Sequence, residues 1–224
     1  MPDILIIGAS RGIGLGLAEE FARRGWTVTA TVRDAARATA LQAVDKVAVE
    51  TVDIADQASS AALAGRLAGK SFDAIVVNAG VSGPQANPRS VEHAAFTDLF
   101  VTNALAPVRL AEMLVGLVKP QTGVIGFMTS HLGSVADNTR GGMELYRASK
   151  AALNSFTRSF SARHRDKGLS VLSLHPGWVR TDMGGPGADI DVATSVTGLA
   201  DVVERAGGAH QEAYLDYAGK VLPW

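Results

Sequence analysis

Ile4-Leu5-Ile6-Ile7-Gly8-Ala9-Ser10-Arg11-Gly12-Ile13-Gly14 sets the fold of this chain. The apolar run Ile4–Ile7 suits a strand buried on both faces. Gly8 to Gly14 forms a turn. A helix follows to about Arg24, with Leu17, Ala18 and Phe21 on one side and Gly25 as its stop. Glycines in such a turn allow a sharp reversal, let a pyrophosphate approach the backbone, and let helix and strand pack closely. The helix N-terminus would then offer free N–H groups to the phosphates. The spacing is Gly-x-x-x-Gly-x-Gly rather than the more familiar Gly-x-Gly-x-x-Gly.

Beyond this stretch the alternation of strand and helix continues. Strands are expected at 27–32, 47–52, 74–77, 124–128 and 169–174, with a short final strand within Tyr214–Leu222, around Gly219. Helices are expected near Ala35–Ala43, over Gln57–Ala68, and as a pair spanning Glu92–Val118, broken near Asn103, with Pro107 in the first turn of the second. A Gly/Asp/Asn-rich loop at 133–142 precedes a helix carrying Tyr146 and Lys150. This order implies an α/β fold: a doubly wound parallel sheet with helices on both faces, in a single domain covering 1–224. Ligands of such sheets bind at the carboxyl ends of the strands.

Composition narrows the function. The chain has 224 residues, 47% of them hydrophobic, enough for a substantial core. The net charge is −1, without a basic stripe, so neither nucleic acid nor a membrane surface is expected as partner. No cysteine is present, which excludes disulfides and thiolate chemistry. No apolar run approaches the ~20 residues of a membrane span, and no signal peptide is read at the start. The expected location is cytoplasmic. The five histidines have no metal-ligand spacing, so no metal site is expected.

Tyr146 and Lys150 lie four apart, on one face of a helix and one turn from each other. An ammonium stabilises a tyrosinate and lowers the phenol's pKa. That suits proton delivery to a carbonyl oxygen while a hydride reaches its carbon. The residue ending the second strand selects the dinucleotide. Here the sequence is Val32-Arg33-Asp34, and Arg11 adds a second guanidinium from the turn. Two guanidinium groups suit the extra phosphate of NADP(H), which is the favoured cofactor. Asp34 can bond a ribose hydroxyl or pair with Arg33, and this keeps NAD(H) possible.

Together these elements resemble the short-chain dehydrogenase/reductase family, Rossmann-like in fold, over essentially the whole chain. Gly8, Ser10, Arg11, Gly12, Ile13 and Gly14 match its cofactor turn. The resemblance implies an adenine contact at Asp53 and Ile54, and an Asn-Ala-Gly signature at Asn78, Ala79 and Gly80. It implies a catalytic tetrad of Asn103, Ser130, Tyr146 and Lys150, with Tyr146 and Lys150 also holding cofactor. Pro176, Gly177, Val179 and Thr181 fall at its nicotinamide end. The finer resemblance is to the C-factor-like and Sniffer-like carbonyl reductases, through Met128–Ser134, Asp137–Thr139, His175–Val179, Thr181–Gly185 and Pro223-Trp224.

Two departures stand out. Ile7 replaces the family's usual Thr before the first glycine, and the 16-residue gap from Ser130 to Tyr146 is long, which makes Ser134 a competitor for Ser130. The expected function is NADPH-dependent hydride transfer to a small or medium carbonyl. Ser130 and Tyr146 would polarise the oxygen, and Asn103 would hold a water in a proton relay to Lys150. Leu132, Met143, Trp178 and Met183 are candidate walls, under a mobile cap made of the glycine-rich loop at 184–187 and the segment continuing to Val196. The alternative is a dinucleotide-binding signalling or regulatory protein; an extended-family epimerase is weaker, for want of a substrate domain. A homodimer is possible.

Overall fold

The computed structural model describes residues 1–84 and 87–224. Among these residues seven strands form one parallel sheet: β1 (Asp3–Ile7), β2 (Thr27–Val32), β3 (Val47–Thr51), β4 (Ala74–Val77), β5 (Val124–Met128), β6 (Ser170–His175) and β7 (Glu212–Asp216). Their spatial order is β3-β2-β1-β4-β5-β6-β7. The chain therefore winds one way from β1 to β3 and the other way from β4 onward. The topological switch lies between β1 and β4, where Ile4 pairs with Ala74 and Ile7 with Val77.

The helices are α1 (Gly12–Arg23), α2 (Thr39–Gln42), α3 (Gln57–Arg66), α4 (His93–Phe100), α5 (Ala106–Leu114), α6 (Glu144–Arg163) and α7 (Val192–Ala206). Two apolar layers form because alternate residues of each strand face opposite ways. Ile4 and Ile6 of β1 pack with Phe21, Leu199 and Val203 on one side. Leu5 and Ile7 pack with Leu63, Leu110 and Phe160 on the other.

The expected β4 and β5 bounds match those observed, and the other strands before β7 agree to within a residue or two. Three expectations need correction. The final strand lies at Glu212–Asp216, while Gly219 occupies a turn at φ +81°. Val192–Ala206 is an amphipathic helix, where the sequence suggests only the continuation of a cap. The expected break at Asn103 is a π-helical turn, Val101–Leu105, joining α4 to α5. The resulting helix, His93–Leu117, is 25 residues long and is apolar enough to cross a membrane. It packs instead on the sheet, burying Leu99, Leu110, Ala111 and Leu114.

Candidate active site

The strand ends and the turns after them surround a cleft of about 440 Å³. Its first wall is the glycine turn. Gly8 has φ +87°, and a Cβ there would meet Ala79 at 2.8 Å. A Cβ on Gly14 would lie 2.1 Å from the Gly8 carbonyl oxygen and 2.6 Å from Asn78 Nδ2. Gly14 thus serves the turn from behind and does not line the cleft, unlike Gly8, Ser10, Arg11, Gly12 and Ile13.

Ile7 removes no support from this turn. Thr31, on the neighbouring β2, accepts the Gly8 N–H through its hydroxyl at 3.0 Å and the Ala9 N–H through its carbonyl at 2.7 Å. Asn78 Nδ2 donates to the Gly8 carbonyl at 2.7 Å. Among the described residues no side chain caps α1, and no acidic residue occupies its first turn, so its positive end suits an anion.

Arg33, Asp53, Ile54, Asn78, Ala79 and Gly80 all face the cleft. Arg37, from the single 3₁₀ turn after β2, joins Arg33 there, and sequence reasoning misses it. Its spacing of four from Arg33 is the available signal. Asp34 is committed elsewhere: its carboxylate accepts the Ala36 N–H at 3.0 Å and caps that turn. Arg11 forms an ion pair with Asp182 across the cleft mouth. Its expected convergence with Arg33 is therefore replaced by a contact to the loop after β6. The cleft fits a dinucleotide phosphate: an uncapped helix N-terminus at one point, and the guanidinium groups of Arg33 and Arg37 at another.

At the other end stand Tyr146 and Lys150, with Pro176 and Thr181. Lys150 is 4% exposed. Its ammonium donates to the Met128 carbonyl at 2.9 Å and lies 5.9 Å from the Tyr146 ring. Burial pulls Lys150 down to about 8. Burial also pushes Tyr146 up, opposed by a hydrogen bond from Ser130. The expected lowering of the phenol by the lysine charge is thus not what these residues produce by themselves. Desolvation outweighs the Ser130 hydrogen bond, so the phenol lies above its ordinary value and stays protonated at neutral pH.

Ser130 follows β5, half-buried, with its hydroxyl against Tyr146. The competing Ser134 is 1% exposed and occupied, accepting the Asp137 N–H at 3.1 Å. Asn103 is fully buried in the π turn. Its side chain bonds the Val81 N–H and carbonyl, both at 2.8 Å, and the Ser149 hydroxyl at 3.1 Å. Both ends of the amide are thereby engaged in holding the loop after β4. A Cβ on Gly80 would lie 3.2 Å from Asn103 Oδ1 and 3.3 Å from Lys150 Nζ, so the three meet.

Two further expected cofactor residues do not line the cleft. Gly177 turns the chain at φ +87° against Ile190, and Val179 is buried, bridged to Ile190. Of the candidate walls only Met183 lines it; Leu132, Met143 and Trp178 do not. The expected loose cap is a bonded turn: Trp178 Nε1 donates to the Gly184 carbonyl at 2.9 Å, and Gly185 N–H to the Thr181 carbonyl at 2.8 Å.

Comparison with known proteins agrees with this architecture. A family model described as short chain dehydrogenase matches residues 3–189. The chain is 42% identical over 153 residues to the C-signal protein of Myxococcus xanthus, covering 68% of this chain and 92% of that one. A carbonyl reductase from Pseudomonas aeruginosa PAO1, solved in complex with NADP, superposes with a TM-score of 0.91 at 41% identity over 100% of both chains. The carbonyl reductase Sniffer of D. melanogaster superposes at 0.92 with 30% identity, again over 100% of both.

Proposed function

The chain belongs to the short-chain dehydrogenase family, and from that premise we propose that it is an NADPH-dependent carbonyl reductase. The observation that carries the reading is the pairing of Tyr146 and Lys150 at one end of a cleft whose other end presents Arg33 and Arg37, with the hydroxyl of Ser130, which does not itself line the cleft, against Tyr146. The NADP-bound carbonyl reductase from P. aeruginosa supports the choice of cofactor.

In this reading NADPH supplies the hydride. The α1 N-terminus and Gly12 face the pyrophosphate, and Arg33 and Arg37 hold the 2′-phosphate. Asp53 and Ile54 border the adenine; Pro176 and Thr181 border the nicotinamide. Gly14, Gly177 and Val179 shape the turns that present these groups.

Ser130 and Tyr146 donate hydrogen bonds to the substrate oxygen as negative charge develops on it. Tyr146 then transfers its proton to that oxygen. A phenol is protonated at neutral pH, as a general acid requires, and burial shifts Tyr146 further in that direction. Lys150 holds the nicotinamide ribose, with its charge compensating the phenolate left behind. Asn103 anchors the floor beneath Lys150 through its side chain, so a proton relay at this point would use its main chain rather than its amide. Met183 and the turn at 184–187 border a small or medium carbonyl substrate. A cytoplasmic homodimer completes the proposal.

The test measures binding of NADPH and NADH, then follows cofactor oxidation with a panel of aldehydes, ketones and diones. Turnover with NADPH is expected. Tight NADPH binding without turnover across the panel would favour the signalling alternative, which the relationship to the C-signal protein supports.

A further inference from the structure

The molecule contains a second phenol for which this reaction has no use. Tyr214 lies in β7, paired with Ser173 of β6, and is 1% exposed. Its hydroxyl crosses beneath the sheet end and donates to the main-chain carbonyl of Ser130. A core tyrosine must satisfy its hydroxyl, but nothing requires that the partner be the residue whose own hydroxyl meets Tyr146.

The Ser130 segment leaves the sheet with few ties: its own hydroxyl accepts the Leu132 N–H at 3.2 Å, and its carbonyl is held by the bonds described next. β5 ends at Met128, and the last sheet contact is Thr129 N–H to the Leu174 carbonyl at 2.8 Å. Ser130 then starts a single 3₁₀ turn, His131–Gly133. Its carbonyl accepts the Gly133 N–H at 2.7 Å and, on its other lone pair, the Tyr214 hydroxyl. A carbonyl held from two directions fixes the rotation of the Ser130 backbone, and with it the vector along which Cβ and the hydroxyl leave the chain.

Tyr214 is itself braced. The Trp224 ring lies 5.3 Å from the Tyr214 ring, and the Arg158 guanidinium lies 5.1 Å from the indole. Leu222 N–H bonds the Tyr214 carbonyl at 2.8 Å. The Trp224 main-chain oxygen accepts the Ala136 N–H at 3.1 Å, so the same brace also reaches the far side of the loop. Asn154 of α6 donates to the Gly133 carbonyl at 3.3 Å.

We propose that Tyr214 is a positioning residue for the reduction, acting through the Ser130 carbonyl, with Trp224 as its backing. The proposal rests on the reading of Ser130 as a donor to the substrate oxygen. Misplacing a reacting group by about 1 Å can cost on the order of 10²-fold. Removing one bond of two should cost less, about tenfold.

The experiment is a double-mutant cycle on the full chain, with Tyr214→Phe, Ser130→Ala and the double variant, each assayed for kcat, KM and NADPH Kd. Tyr214→Phe keeps the ring and its stack on Trp224. It is expected to lower kcat about tenfold while leaving NADPH Kd within twofold. In the Ser130→Ala background the same change should have no further effect on kcat, because the group it positions has gone. Equal losses in both backgrounds, or none in either, would overturn the positioning role alone. An unchanged kcat for Ser130→Ala by itself would overturn the reading of Ser130 and the positioning role with it. Should Tyr214→Phe fail to fold, Trp224→Ala enters the same cycle, with the same non-additivity expected and the same additivity contradicting it.

Discussion

Lys150→Met should make the protein more stable and inactive at once. The ammonium is 4% exposed, and burial lowers its pKa from an ordinary 10.5 to about 8. At roughly 1.4 kcal/mol per pH unit, keeping that charge inside the fold costs on the order of 3 kcal/mol. Methionine keeps an unbranched stem and removes the charge. It also leaves the Met128 carbonyl without its donor, a loss of about 1 kcal/mol. The net gain at pH 7 is about 2 kcal/mol. With an m-value of about 2–3 kcal/mol/M, the urea midpoint rises by roughly 0.7–1 M.

The gain depends on pH, and its sign follows from proton binding. Below about 8 the folded and unfolded chains both carry the Lys150 proton, so the whole penalty applies. From there to 10.5 the unfolded chain binds more protons, so wild-type stability rises with pH. By 10.5 the variant should have lost its advantage and be about 1 kcal/mol less stable, the remaining hydrogen-bond term. Parallel urea titrations at pH 7 and pH 10.5 test this. A variant less stable than wild type at pH 7, or a difference that does not vary with pH, would show that burial of the ammonium is not what costs stability here.

Other positions give simpler outcomes. Gly14→Ala forces a Cβ to within 2.1 Å of the Gly8 carbonyl oxygen, so the turn must open; a loss of at least about 2 kcal/mol in urea unfolding and loss of NADPH binding by calorimetry are expected. Arg37→Ala should weaken NADPH about tenfold and leave NADH unchanged, since one charged hydrogen bond contributes about 1.5 kcal/mol; fluorescence titration with both cofactors checks it. Gly65 lies inside α3, and a methyl group added there would meet no atom within 4 Å, so Gly65→Ala should raise stability by about 0.5–1 kcal/mol in the same urea assay, with kcat unchanged.

Those elements of the fold that rest on local chemistry are legible in the residues. β1, the glycine turn and α1 follow from an apolar run, three glycines and a 3.6-residue stripe. β4 and β5 are short apolar runs bounded by turn residues, and their expected limits hold to the residue. The final strand is not legible in the same way, because Glu212–Asp216 contains only three apolar or aromatic residues and takes its place from pairing with β6. Helix α7 carries a local signal that the reading of this stretch as a cap passes over: Asp191 accepts the Thr194 N–H as its N-cap, and Val196, Leu199, Val203 and Ala206 recur at helical spacing. Within the site, the order of motifs brings out Ser130, Tyr146 and Lys150. Spacing cannot show that Arg11 turns to Asp182, or that Asp34 spends its carboxylate on a cap. Nor can it show that burial pushes the Tyr146 phenol up, with Ser130 rather than Lys150 opposing the shift.

Whether Tyr146 delivers the proton is decided by rapid mixing, following NADPH oxidation by wild type and Tyr146→Phe with the best carbonyl substrate from the panel. Hydride transfer is expected in the wild type and a loss of at least about 10³-fold in the variant, with NADPH Kd unchanged. Hydride transfer at a near-normal rate in Tyr146→Phe would contradict the assignment of the phenol as proton donor.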